Sequence, residues 1–158
     1  MSNKTIAIGS DHAGFELKEK ILTHLTAKGH EVIDHGAKTY NAADDYPVFC
    51  FLAAQAVAKD SNSLAIVLGG SGNGEQIAAN KIKGVRAALA WSVETAKLAR
   101  QHNNANVMGI GGRMHSESET LAIVDAFIET EFSNDERHSR RINQISEYET
   151  DGKMPPVS

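Results

Sequence analysis

One carboxylate, Glu75, follows the stretch Gly69-Gly70-Ser71-Gly72-Asn73-Gly74, which itself follows the apolar run Leu64-Ala65-Ile66-Val67-Leu68. A turn this rich in glycine leaves successive main-chain N–H groups unobstructed and aims them at one spot in front of the strand. The helix-compatible segment beyond it, running to Asn80, adds free N–H groups and the positive end of its dipole. A carboxylate beside such donors can take a proton from carbon while the donors hold the oxyanion that forms. Plainer readings exist for the same residues. The glycines also suit a tight strand-to-helix turn, and Glu75 a dipole partner whose pKa the helix lowers while burial raises it. A dinucleotide fingerprint fits poorly, because its sixth position is Glu75 and the next strand runs into Ala90-Trp91-Ser92 without an acidic residue. A Walker loop lacks its Gly-Lys-Ser/Thr ending.

Asp11 and His12 follow the first strand, Arg113 follows the last, and His102 with Asn103 ends a helix; all are expected on the edge that carries the site. Asp11 also suits a helix cap, and a lone histidine is more often structural than catalytic. Arg137 and Arg141 lie four apart on one helical face, with Arg140 and His138 beside them, a spacing suited to a phosphate dianion as well as to a solvated face.

Strand and helix patterns alternate along the chain. Strands are expected at 5–10, 31–35, 64–68, 86–90 and 106–111, and helices at about 13–28, 47–59, from the glycine loop to 80, from 93 to about 104, from 117, and 133–148. Asp44-Asp45 suits a cap and Pro47 the first turn of the second helix; Ser92 caps another, and Ser116 with Glu119 forms a capping box. Such alternation implies an α/β fold: one Rossmann-like domain over 1–150, a five-stranded parallel sheet with helices on both faces, and a flexible tail over 151–158. Ligands bind such sheets beyond the carboxyl ends of the strands. The last helix carries only Ile142, Ile145 and Tyr148 as apolar anchors, which suits packing across a subunit boundary.

The 158 residues suffice for a packed core, and 41% hydrophobic with 23% charged residues is ordinary globular composition. A formal charge of −4 argues against nucleic acid as the main partner. The single Cys50 excludes an internal disulfide, and no cysteine pairs give a zinc spacing; Cys50 reads as packing in a reducing, cytoplasmic setting. No signal-like segment or membrane-spanning run is visible in the sequence.

Together, Gly9-Ser10-Asp11-His12-Ala13-Gly14, Asp44-Asp45-Tyr46-Pro47, the 69–81 stretch, His102-Asn103-Asn104-Ala105 and Gly109-Ile110-Gly111-Gly112-Arg113 resemble the type B ribose-5-phosphate isomerases, from Ile6 to about Tyr148. That family also includes galactose-6-phosphate isomerase subunits. The resemblance implies interconversion of ribose 5-phosphate and ribulose 5-phosphate through a cis-enediolate, a step of the pentose phosphate pathway, without metal or cofactor. It implies a homodimer or tetramer with sites shared between subunits. Many members carry a cysteine base at the start of the glycine loop. This sequence has Gly69 there and resembles the actinobacterial-type branch, in which the glutamate matching Glu75 is the base. By the same match His102 opens the furanose with help from Asp11, and Gly70, Ser71, Gly72, Asn73 and Gly74 hold the enediolate. Asp11, His12 and Asn103 bind hydroxyls, and Arg113, Arg137 and Arg141 bind phosphate, with His12 or His138 as further phosphate contacts. A six-carbon aldose phosphate of the allose or galactose type, or a non-catalytic sugar-phosphate binding module, remains open.

Overall fold

The computed structural model describes residues 2–157. Five strands form one sheet: β1 (Thr5–Ser10), β2 (Glu31–Asp34), β3 (Leu64–Gly69), β4 (Ala87–Leu89) and β5 (Val107–Gly111). Their order is β2-β1-β3-β5-β4, and every pairing is parallel. Parallel strands need crossovers, and the helices α1 (Phe15–Ala27), α2 (Pro47–Lys59), α3 (Asn73–Ala79) and α4 (Val93–Asn103) supply them, while α5 (Glu117–Glu129) leaves the last strand and packs back on the sheet. A final helix, α6 (Glu136–Asp151), follows the sheet.

The period of two along each strand divides the core into two unlike layers. Ile6, Ile8, Leu64, Ile66, Leu68, Met108 and Ile110 pack against α1, α4 and α5 through Ile21, Leu25, Ala96, Val124 and Phe127. On the other face the strands present Ala7, Ala65, Val67 and Val107 to α2 and α3, which answer with Cys50, Ala53, Ala54, Ala78 and Ala79. Long side chains on one face and alanines on the other bring α3, and the residues on it, close to the sheet.

Helices crossing between parallel strands run opposite to them, so their carboxyl ends collect at the amino edge of the sheet. Cations cap those ends. Arg86 Nε and Nη2 donate to the carbonyls of Asn103 and Asn104, each at 2.9 Å. Lys4 Nζ donates to Ile128 O at 2.9 Å, and Arg100 donates to Thr130 O at 3.1 Å. These contacts place positive charge at the negative helix ends.

The expected α/β architecture, the cap at Ser92 and the capping box of Ser116 with Glu119 are present; Thr95 makes a second box with Ser92, and β2 lies at a sheet edge. Three local expectations change. Residues 12–14 form a 3-10 turn before α1, because the Asp11 carboxylate accepts from Ala13 N at 2.9 Å. Asp44 and Asp45 do not cap α2; Tyr46 occupies the cap position without a side-chain bond, and Asp44 is engaged elsewhere. The last helix begins at Glu136 and reaches Asp151, past the expected start at Ser133 and end at Tyr148. Asn134 has φ 58°, which breaks helical geometry, and Ser133 Oγ accepts from Asp135 N at 3.2 Å. Among the described residues no helix is long and apolar enough to cross a membrane.

Candidate active site

Strand β3 ends at Gly69 between the ends of β1 and β5, so the glycine loop, Asp11-His12 and Gly112-Arg113 meet at the carboxyl edge. Main-chain bonds fix the meeting: Gly112 N donates to Gly69 O at 2.6 Å and Arg113 N to Gly70 O at 3.2 Å. The chain turns at Gly72, where φ is 85° and an added Cβ would stand 2.7 Å from Leu89 Cδ1. Asn73 N donates to Ser71 Oγ at 3.3 Å, while the N–H groups of Gly74 and Glu75, in the first turn of α3, have no acceptor within the helix.

Glu75 is carried inward by this turn. It is 4% exposed, and its Oε2 has no hydrogen-bond partner among the described residues. Gly69 makes the pose possible, because a Cβ there would fall 1.7 Å from Glu75 Oε1. Burial raises the pKa of Glu75, and the charge of Asp11 adds to the rise; the N–H groups of Glu75 and Gly72 act against it. The expected contest between dipole and burial therefore goes to burial. A glutamate with raised proton affinity is better matched to taking a proton from carbon than an exposed one. Gly69→Ala is expected to displace Glu75 while leaving the sheet intact, lowering kcat by about tenfold or more, as a base moved by about an ångström does. Turnover together with circular dichroism checks this.

Asp11 is buried beside Glu75, and Tyr46 brings its hydroxyl against Gly74, where an added Cβ would lie 2.5 Å from Oη. Cys50 lies beneath, fully buried, its thiol pushed up to about 12 by burial and by Glu75 and Asp11; it is packing, as the sequence suggested. His12 and Arg113 line one cleft of about 340 Å³ with Tyr40 and His115. The His12 ring meets Tyr40 edge-on, with centroids 6.3 Å apart. Arg113 lies over the loop, with Nη1 3.7 Å from the position of a Cβ on Gly70. Asp11, His12 and Asp44 each bring one atom of metal-ligand type within 4.8 Å of the others; His12 Nδ1 lies 2.8 Å from Asp44 Oδ1, and Asp11 Oδ1 accepts from Ala13 N at 2.9 Å.

The other expected site residues are elsewhere. His102 and Asn103 end α4, a helix that starts beyond the carboxyl end of β4 and finishes beside the amino end of β5. The expectation that His102 lies on the carboxyl edge is therefore corrected. The five residues of β5 alone span about 13 Å at ~3.3 Å per residue, which separates His102 from Glu75 within one chain. His102 instead stacks on His138 of α6, with ring centroids 4.3 Å apart. His138 is buried, and its Nδ1 lies 2.9 Å from Ser133 Oγ. Its pKa is lowered by burial and by the neighbouring His102, Arg137 and Arg141, with Asp135 opposing them. Two clusters result: Asp11, His12, residues 70–75 and Arg113 at one edge, and His102, Asn103, Arg137 and Arg141 at the other. Sequence reasoning also missed Asp44 and Tyr46. Both were visible in Asp44-Asp45-Tyr46-Pro47, but as the start of a helix.

Known proteins carry the same arrangement of chain. A family model described as Ribose/Galactose Isomerase matches residues 6–145. A ribose-5-phosphate isomerase B of Mycolicibacterium paratuberculosis is 62% identical over 152 residues, covering 96% of each chain. Its counterpart from Mycobacterium tuberculosis is 60% identical over 157 residues, covering 99% of this chain and 97% of that one. Among solved structures, ribose-5-phosphate isomerase B from Mycoplasma genitalium, with ribulose-5-phosphate bound, superposes with a TM-score of 0.91 at 46% identity, covering 96% of this chain and 99% of the other. With the family model matched over residues 6–145 and relatives of 60% identity or more matched over nearly the full length, the chain belongs to the ribose/galactose isomerase family.

Proposed function

We propose that two copies of this chain form a homodimer whose sites interconvert ribose 5-phosphate and ribulose 5-phosphate through a cis-enediolate, a reaction of pentose phosphate metabolism in the cytoplasm. The observation that carries the proposal is Glu75, buried at the loop with its proton affinity raised. In the open-chain aldose the Glu75 carboxylate takes the proton from C2. The electron pair forms the C1–C2 double bond, and the C1 carbonyl becomes an oxyanion held by loop N–H groups and Ser71. The O2 proton passes to O1 across the cis-enediolate, and Glu75 returns its proton to C1 as the C2 carbonyl forms, so protons and electrons balance without an oxidant. A single donor aimed at such an oxyanion is worth about 3 kcal/mol, and a placed base roughly 10²–10⁴-fold in rate.

The separation of the two clusters supports the dimer. His102, with Asn103, Arg137 and Arg141 of the partner subunit, would meet Asp11, Glu75 and Arg113 of the first. His102 opens the furanose with Asp11 at the ring oxygen, and Arg113, Arg137 and Arg141 hold the phosphate. Binding the remote phosphate holds a short, flexible sugar in a reactive pose. Incubating the protein with ribose 5-phosphate in deuterium oxide and following C2–H by proton NMR tests the reading. Loss of the C2–H signal with appearance of ribulose 5-phosphate is expected. Saturable binding without exchange would leave a sugar-phosphate binding module, and faster exchange into allose or galactose 6-phosphate would move the substrate to six carbons.

A further inference from the structure

The loop between β2 and α2 brings Asp44 over the carboxyl end of β1, and the donors to its carboxylate come from His12. Asp44 Oδ1 accepts from His12 N at 2.9 Å and lies 2.8 Å from His12 Nδ1. The Asp44 side chain is 11% exposed, and its Oδ2 has no hydrogen-bond partner among the described residues. A carboxylate this buried is costly to place, and a helix cap, the ordinary use of an aspartate before Pro47, is not what it does. Nor is Asp44 needed to start the 3-10 turn, which Asp11 caps through Ala13 N.

The chemical consequence lies in the ring. An ionised carboxylate is acceptor only, so the Nδ1 facing it carries the hydrogen, and Nε2 is the nitrogen left for a ligand. The backbone contact fixes where His12 starts, the ring contact fixes its rotation, and the Tyr40 ring closes one side. His12 then presents a defined atom to the cleft it shares with Arg113. The geometry points to Asp44 as a positioning residue: it holds the His12 imidazole as the Nδ1–H form, with the unprotonated Nε2 offered as an acceptor to a substrate hydroxyl in the cleft shared with Arg113. This rests on the isomerase reading above and on the substrate contact that the family resemblance implies for His12, and no atom of Asp44 is required to touch the sugar phosphate.

Ring-nitrogen NMR on protein labelled with ¹⁵N-histidine, recorded without substrate at pH 9 where an imidazole is neutral, reads the tautomer directly. Wild-type His12 is expected as Nδ1–H, and Asp44→Ala should move it to the Nε2–H form that free histidine favours. With ribose 5-phosphate, Asp44→Ala should raise KM by about tenfold with kcat changed less than threefold, and in a His12→Ala background it should add nothing to KM. Asp44→Ser, too short to reach the ring but suited to a loop, carries both readouts should the alanine variant not fold. An unchanged tautomer in the folded variants, or additive KM effects of the two substitutions, overturns the proposal while leaving the isomerase reading intact. A tautomer switch with KM unmoved in both Asp44→Ala and His12→Ala overturns it differently, by removing His12 from the substrate contacts.

Discussion

Glu75→Gln is expected to lower kcat by more than a hundredfold, within the ~10²–10⁴-fold contribution of a placed base, with the fold unchanged. Glutamine keeps the shape that fits above Gly69, but its amide cannot accept the proton. Steady-state turnover with matched circular dichroism checks it, and turnover near wild type would take the base role away from Glu75. The same variant has a signature in stability. Because burial raises the folded-state pKa of Glu75 above its unfolded value, the native state holds the proton more tightly. This carboxyl therefore favours folding at low pH, and that contribution is lost as pH rises through the raised pKa. Glutamine never ionises. Calorimetry should find Glu75→Gln with a higher Tm than wild type at pH 8 and with a difference that shrinks toward pH 4. In the wild-type enzyme, kcat/KM should fall on the acid side at a pH above the ordinary glutamate range.

Mixing two disabled chains should restore activity. Glu75→Gln lacks the base but keeps the cluster of His102, Arg137 and Arg141; Arg137→Ala keeps the base but loses a phosphate contact at the opposite edge. If each site takes one cluster from each subunit, a hybrid dimer has one intact site and one doubly altered site. After denaturation and joint refolding half the dimers are hybrids, so about a quarter of sites recover, with closed two-fold pairing. At substrate concentrations well below the raised KM of Arg137→Ala, the mixture should exceed the mean of its components severalfold. A mixture no more active than that mean, once mass spectrometry has verified hybrid formation, would refute the shared site.

The succession of elements was legible because each rests on a local period and local punctuation. Leu17, Ile21 and Leu25 mark one helix face, Gly29 ends it, and Ser92 and Ser116 announce the helices they cap. Glu75 was legible as a candidate from its place beside the loop, but its burial was not, since that depends on how α3 docks. Asp44 was misread because a carboxylate ahead of Pro47 has the same local chemistry whether it accepts from its own helix or from His12 more than 30 residues away. His102 was misplaced for a topological reason. A helix end lies at the edge where the next strand begins, and the motif containing His102 does not record that direction.

The alanine-lined layer between the sheet and α2 and α3 has a mechanical consequence. Ala53, Ala54, Ala65, Ala78 and Ala79 set how near the helix that carries Glu75 can come, and all are almost completely enclosed. A single methyl group gained at any of them, harmless by the standard of hydrophobic patterning, would act as a spacer that lifts the glutamate away from its target. If Glu75 is the base, reactivity in this protein depends on the thickness of an interior seam as much as on the acid itself.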